Sequence, residues 1–233
     1  MAVFAIGDLH LSSNQAKPMD VFGPEWEDHG AKTKINWDAT VSDEDLVIVA
    51  GDISWAMTLP EARSDLEWLA ERKGTKVIVR GNHDYWWSSI SQVRAALPPS
   101  IHALQNDYFS FGSWFICGTR GWLCPGEEGF DSEHDQKIYH REVKRLELSL
   151  ESARSMGANK IIVALHYPPF TRYSQDSAFT ALMEKDWPIE ICVFGHIHDQ
   201  GRNKIFQGQR KGIKYILVAA DGVGFTPVLI SEH

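Results

Sequence analysis

The chain is poor in cysteine: Cys117, Cys124 and Cys192 are the three among 233 residues. An odd, scattered set supplies neither a disulfide framework nor a zinc ribbon. Cys117 and Cys192 fall in apolar runs that read as strands. Small buried thiols in a reducing compartment are the reading, and a cytoplasmic location is expected. Long apolar runs are also missing. No window reaches the roughly 18 uninterrupted apolar residues of a membrane helix, so no membrane partner is expected. The N-terminal MAVFAIGDLH lacks the basic start and small-residue cleavage site of a signal peptide, and reads as a strand. Positive charge is in short supply, with 23 Lys and Arg against 31 Asp and Glu and a formal charge of −8. A broad basic surface for nucleic acid is therefore not expected. Repeats, low-complexity segments and Pro/Gly/Ser-rich linkers are absent. A single domain over residues 1–233 is expected, long enough for a sizeable core.

Hydrophobic content of 43% and charged content of 23% are ordinary for a globular protein. Short apolar strands alternate with amphipathic helices, which indicates an α/β class. Strands are expected at Val3–Ile6, Leu46–Ala50, Lys76–Val79, Ile161–Leu165, Ile191–Phe194, Tyr215–Ala219 and Pro227–Ile230, with a hairpin across Phe109–Cys117. Thr58 and Glu61 form a capping-box pattern that predicts a helix running toward Gly74. Ile90, Val93 and Leu97 mark a second helix that stops at Pro98-Pro99, and a third is expected over 134–156. The acidic run Asp43-Glu44-Asp45 reads as a solvated loop. Residues 119–135 form the longest stretch without clear periodicity, and long irregular loops in compact domains are often functional.

The ends of the strands carry the information. Asp8 and His10 follow the first strand, Asp52 the second, and Asn82, His83 and Asp84 the third. His166 follows another, and His196 and His198 yet another. Ligands of α/β sheets bind outside the carboxyl ends of strands. Glycine precedes several of these residues, where sharp turns and positive φ are useful. Carboxylate and amide oxygens with imidazoles suit borderline divalent ions such as Mn²⁺, Fe or Zn²⁺. Each motif alone is weak: Gly-Asp is usually a turn, Asn82 or Asp84 would serve as a helix cap, and His166 would pass for a loop histidine. The joint occurrence is specific, because half of the 10 histidines fall in these blocks in a fixed order.

At these residues the chain resembles the calcineurin-like metallophosphoesterase superfamily. The blocks stand as Asp8-Leu9-His10, Gly51-Asp52, Gly81-Asn82-His83-Asp84, His166 and Gly195-His196-Ile197-His198. The resemblance implies a four-layer αββα sandwich of two mixed sheets with two divalent metal ions at the strand ends. By the same analogy one ion takes Asp8, His10, Asp52 and His198. The other takes Asp52, Asn82, His166 and His196, so Asp52 bridges. His83 would be catalytic, outside the metal shell, and Asp84 would orient it and favour its imidazolium form. Two close metals lower the pKa of a bridging water and clamp the phosphoryl oxygens. A metal-bridging hydroxide attacking a small-molecule phosphomonoester or phosphodiester, a nucleotide among the candidates, is the expected chemistry. A nuclease or protein phosphatase on the same scaffold is the alternative, and a non-catalytic scaffold a further one.

Other residues carry weaker signals. Trp55, Trp86, Trp87 and Trp122 lie near the motif loops; Trp55, Trp86 and Trp122 are candidates for a stacking wall, against the plainer reading of core packing. Arg120 follows a strand and is a candidate phosphate contact, against a surface ion pair. An ion pair is expected at Arg80, just before the Asn-His-Asp block. His134 and His140 are read as structural or solvated.

Overall fold

The structure is a computed structural model that describes residues 1–13 and 17–232. The first half of the chain runs β1 (Ala2–Ile6), α1 (His29–Thr40), β2 (Leu46–Val49), α2 (Arg63–Ala70), β3 (Thr75–Ile78), α3 (Ile90–Ala96) and β4 (Ile101–Ala103). The second half runs β5 (Tyr108–Phe111), β6 (Trp114–Thr119), α4 (Asp135–Ser155), β7 (Ile161–Leu165), α5 (Ala178–Met183) and β8 (Ile189–Phe194). It closes with β9 (Gly208–Arg210), β10 (Ile213–Leu217) and β11 (Val228–Glu232). One sheet has the order β11-β1-β2-β3-β4 and the other β5-β6-β7-β8-β10-β9. β1, β2, β3 and β4 pair parallel, and β11 joins antiparallel. β6, β7, β8 and β10 are likewise parallel, with antiparallel edges at β5 and β9.

Alternation along the strands sorts side chains into three apolar layers. Val3, Ala5, Ile48 and Val77 of the first sheet meet Ile116, Ile162 and Val193 of the second between the sheets. Phe4, Ile6, Val47 and Ile78 face outward onto Trp37, Leu66 and Val93 of the first three helices. Cys117, Val163, Cys192 and Phe194 face the other way onto Leu146, Leu150 and Phe179 of α4 and α5. This is the four-layer αββα sandwich. The strands are apolar on both faces because both faces are covered. Each fully buried Val or Ile contributes ~1.5–3 kcal/mol.

Two local expectations change, and one buried cation is new. The Thr58/Glu61 pattern does not cap a helix: α2 begins at Arg63 with no side-chain cap, and Glu61 instead accepts the Met57 N–H at 2.9 Å. A single turn closes there instead, with Ala62 N donating to Thr58 O at 3.0 Å ahead of the helix. Asp45 is not solvated; it is buried, accepting Ala2 N at 2.7 Å and Ser42 N at 2.9 Å, and so pins the start of β1 to the turn before β2. Lys76 is fully buried inside β3, and its Nζ donates to the carbonyls of Ala70, Arg72 and Gly74. That ammonium satisfies acceptors left open at the end of α2.

Parallel strands put all their carboxyl ends at one edge. There the sheets are stitched together: Gly7 N donates to Val218 O at 2.7 Å, and Ala220 N to Gly7 O at 3.1 Å. In the same seam Asp8 N donates to Gly51 O at 2.9 Å and Gly195 N to His166 O at 3.0 Å.

Candidate metal centre

The donors sit on this seam. Asp8, His10, Asp52 and His166 are buried, while Asn82, His196 and His198 are half-buried. Two overlapping clusters, Asp8–His10–His198 and Asp8–Asp52–His166, each keep their donor atoms within 4.8 Å of one another. Asp52 Oδ2 lies 3.7 Å from His10 Nε2 and 3.5 Å from His166 Nε2, so it touches both sets. Asp8 Oδ1 lies 3.6 Å from His198 Nε2 and 3.8 Å from His166 Nδ1. Asn82 Oδ1 is 2.6 Å from His166 Nε2. The His196 ring is 5.0 Å from that of His166 and packs on Tyr167 at 4.1 Å.

The backbone is bent to achieve this. Asp8, His10, Asp52 and His196 have φ of 58°, 45°, 50° and 71°. Such left-handed conformations cost a non-glycine residue roughly 1–3 kcal/mol each and cluster at functional sites. Positive φ thus falls on the donors themselves. Gly81 has a different task. A Cβ there would overlap Asp52 N and Oδ1, so glycine is what lets the third strand end close on the second.

Cations fit this donor set. Among the described residues no Lys or Arg pairs with Asp8 or Asp52, although both are buried. Burial pushes Asp8 up to about 8 and Asp52 up to about 6. The cost of hiding such carboxylates from water is relieved by a bound cation. His166 Nδ1 reaches the Ala50 carbonyl at 3.0 Å, which requires the proton on Nδ1. Its Nε2 lone pair then faces Asn82 Oδ1, and a shared ion relieves that pairing of two acceptors. Burial holds this ring well down, at about 3, so it stays neutral and able to ligate. The buried Nδ1 of His10 has no hydrogen-bond partner.

Asp221 had no place in the sequence reading. Its Oδ1 bonds His198 Nδ1 at 2.9 Å, while Oδ2 takes Asp199 N at 3.2 Å and Arg202 Nη1 at 2.8 Å. Burial opposes charge on His198, but the Asp221 hydrogen bond and the Asp8 carboxylate outweigh it and raise the ring to about 9. The available signal was an acid followed by glycine, Asp221-Gly222, past one more strand end.

His83 stands beside the donors. Its backbone N donates to Asp52 Oδ1 at 2.7 Å, its ring packs 4.4 Å from Trp55, and its buried Nδ1 has no partner. Burial lowers its pKa, with Asp52 working the other way. Asp84 does not orient this ring. Its carboxylate takes Ile53 N, Ser54 N, Gly81 N and Trp86 Nε1 at 2.9, 3.2, 2.7 and 2.9 Å. It clamps the loop after β2 to the loop after β3, with three donors on Oδ1 and one on Oδ2.

The flanking residues divide. Trp55 is half-buried, stacked on His10 at 4.8 Å. Trp86 is a correction: it is 1% exposed, held by Asp84, and presents no open face for stacking. Trp122 donates to Asp135 at 3.0 Å and lies beneath the Arg120 guanidinium at 4.3 Å. Arg120 leans toward the buried Glu142 at 3.7 Å. No ion pair forms at Arg80 among the described residues, and its buried Nε has no hydrogen-bond partner. Two clefts open on the centre. One of about 250 Å³ passes His196, Tyr167 and Arg172. The other, of about 110 Å³, is walled by Met19, Phe22, Trp26 and Trp55 and reaches His10, His83 and His198.

Known proteins match this arrangement. The chain is 32% identical over 77 residues to the gene 66 protein of Mycobacterium phage L5, covering 33% of this chain. It is 37% identical over 83 residues to the gene 66 protein of Mycobacterium phage D29, covering 35% of this chain. The matches span 37% and 40% of those relatives' own lengths. The fold is shared with phosphopantetheinyl hydrolase from Mycobacterium tuberculosis at 15% identity and a TM-score of 0.55, over 94% of this chain and 88% of that one. The family model described as calcineurin-like phosphoesterase matches residues 1–200, the span that holds all five strand-end blocks, and the chain belongs to that family.

Proposed function

We propose that this chain is a metal-dependent hydrolase of a small-molecule phosphoester, a monoester or diester with nucleotides among the candidates. The observation that carries this reading is the convergence of five strand ends, from both sheets, on two buried carboxylates that have no Lys or Arg partner among the described residues. In this reading Asp8, His10, Asp52 and His198 hold one divalent ion, and Asp52, Asn82, His166 and His196 hold a second. Mn²⁺, Fe and Zn²⁺ all suit such a mixed oxygen and nitrogen set. Bound there, divalent cations supply Lewis acidity at phosphorus and lower the pKa of the attacking water.

The side chains do the rest. The Ala50 carbonyl and Asp221 fix the tautomers of His166 and His198, so that each Nε2 faces inward. In this reading His83 gives a proton to the leaving oxygen, and a phosphate dianion beside it would raise its pKa against the pull of burial. Trp55, Trp122 and Arg120 flank the centre as contacts for the remainder of the substrate. Residues 1–233 act as one metallophosphoesterase domain in this reading, since the donors are drawn from both sheets. Three buried free thiols agree with a reducing compartment such as the cytoplasm. Among the described residues no helix is long and apolar enough to cross a membrane.

Turnover of p-nitrophenyl phosphate and bis-p-nitrophenyl phosphate with Mn²⁺, Fe²⁺ or Zn²⁺ tests the reading, with His83→Ala run beside the wild type. Turnover of either ester, reduced in the variant, is expected. Failure of both esters with every metal removes it, and faster cleavage of single-stranded DNA than of either ester puts a nuclease first.

A further inference from the structure

The smaller cleft has a composition that the phosphorus chemistry does not require. Cations and phosphate call for polar walls. Met19, Phe22, Trp26 and Trp55 instead make an apolar wall directly against His83 and His198. Trp26 and Trp55 are fixed in place: Trp26 stands edge-on to His198 at 5.7 Å, and Trp55 donates its Nε1–H to Met19 Sδ at 3.2 Å. Phe22 is 59% exposed at the lip, beside Val21 at 72%. A lone exposed aromatic needs no explanation, but Phe22 is continuous with the apolar wall of the cleft, and a continuous apolar lining marks a place where apolar surface is to be buried. At the rim the exposed Asp199 carboxylate is offset by Lys17, whose Nζ lies 4.7 Å from the centre of the Trp55 ring, so neither sign of charge is favoured in an occupant.

Size narrows the occupant. A closed apolar cavity of about 150 Å³ takes up benzene. The cleft here has about 110 Å³ and an open mouth, which matches one ring or a compact branched alkyl better than a whole nucleoside. His83, the candidate proton donor, lines this cleft and not the larger one.

We propose that the cleft receives the group carried on the leaving oxygen, and that the substrate is a phosphoester of a compact, uncharged apolar or single-ring aromatic alcohol. The proposal rests on the phosphoesterase reading above and gives it a substrate class. It also separates the two clefts: the larger, with Glu127, Glu128 and Arg172, is left for any second substituent of a diester.

The test uses hydrolysis-inert ligands and the whole Mn²⁺-loaded chain. Phenylphosphonate and methylphosphonate carry the same charged head and differ in the group offered to the cleft. Their dissociation constants are measured by calorimetry, with tryptophan fluorescence as a second readout. Phenylphosphonate is expected to bind about tenfold more tightly. In Phe22→Ser that ratio is expected to fall to about threefold, with an unchanged melting temperature, because Phe22 is exposed at the lip. Equal affinities in the wild type, or an unchanged ratio in Phe22→Ser, overturns the substrate class and leaves the phosphoesterase reading standing. Failure of both phosphonates to bind, together with failure of both nitrophenyl esters to turn over, overturns that reading and the substrate class with it.

Discussion

Asp221→Asn tests how the centre is built. Asp221 holds His198 Nδ1 at 2.9 Å and turns Nε2 toward Asp8, 3.6 Å away. Losing a carboxylate that orients a metal-binding imidazole typically weakens metal affinity 10- to 100-fold, about 1.4–2.7 kcal/mol. A second effect opposes the first. In the metal-free protein His198 is raised to about 9, chiefly by Asp221 and Asp8 against the pull of burial, so at pH 7 an incoming ion must displace a proton. Two pH units of competition cost about 100-fold, and removing Asp221 relieves part of that. The two effects are of similar size near neutrality and separate with pH. At pH 9 the competition is largely gone, and the variant should bind Mn²⁺ or Zn²⁺ 10- to 100-fold more weakly. At pH 7 the deficit should shrink. Competition against a chelator at several pH values measures both. A deficit constant from pH 7 to 9 refutes the charged His198, and no deficit at pH 9 refutes the orienting role. Unfolding of the metal-free proteins gives an independent check. A raised folded-state pKa stabilises fully below about 6.5, and that stability is lost as pH rises through about 9. The melting temperature of Asp221→Asn should therefore fall furthest below the wild type at pH 6, and above pH 9 the gap should narrow to what the lost Arg202 ion pair accounts for.

Other outcomes follow from the same geometry. The proposed role of His83, a proton donor and not a ligand, predicts that His83→Ala lowers kcat by about 10²- to 10⁴-fold while elemental analysis finds the metal content unchanged; a variant that loses metal contradicts that separation. Asp52→Asn removes the carboxylate that touches both donor sets, so metal stoichiometry should fall by at least one ion per chain. Lys76→Met strips the charged donor from three carbonyls at the end of α2 and should destabilise by about 2–4 kcal/mol in urea unfolding. Burial lowers Lys76 to about 8 from 10.5, so the unfolded chain binds more protons between those values and wild-type stability should rise across that window. The rise should be absent in Lys76→Met.

The residues proposed to hold metal were legible in the sequence because they occupy local patterns. Apolar strands of period two, each ending in an acid, amide or histidine, announced both the sheets and the donors. Helix α1 was not legible: His29–Thr40 buries only Thr33 and Trp37, too few positions to show a period. The expected cap at Thr58 gave only a single turn ahead of α2, with Glu61 spent on the Met57 N–H.

Sequence alone determined which atoms are available to a metal and in what order the chain presents them. Tertiary structure decided which of them meet. Asp84 looks like a catalytic partner because it follows His83, yet its oxygens are spent on two loops that only sheet pairing brings together. Asp221 looks like a turn residue, yet it holds His198 across 23 positions. The apolar cleft joins Met19, Phe22 and Trp26 to Trp55 and His83, and no spacing rule links them. A side chain's type fixes its chemistry, but its partners are set by how two sheets pack, which is a long-range property that local pattern does not encode.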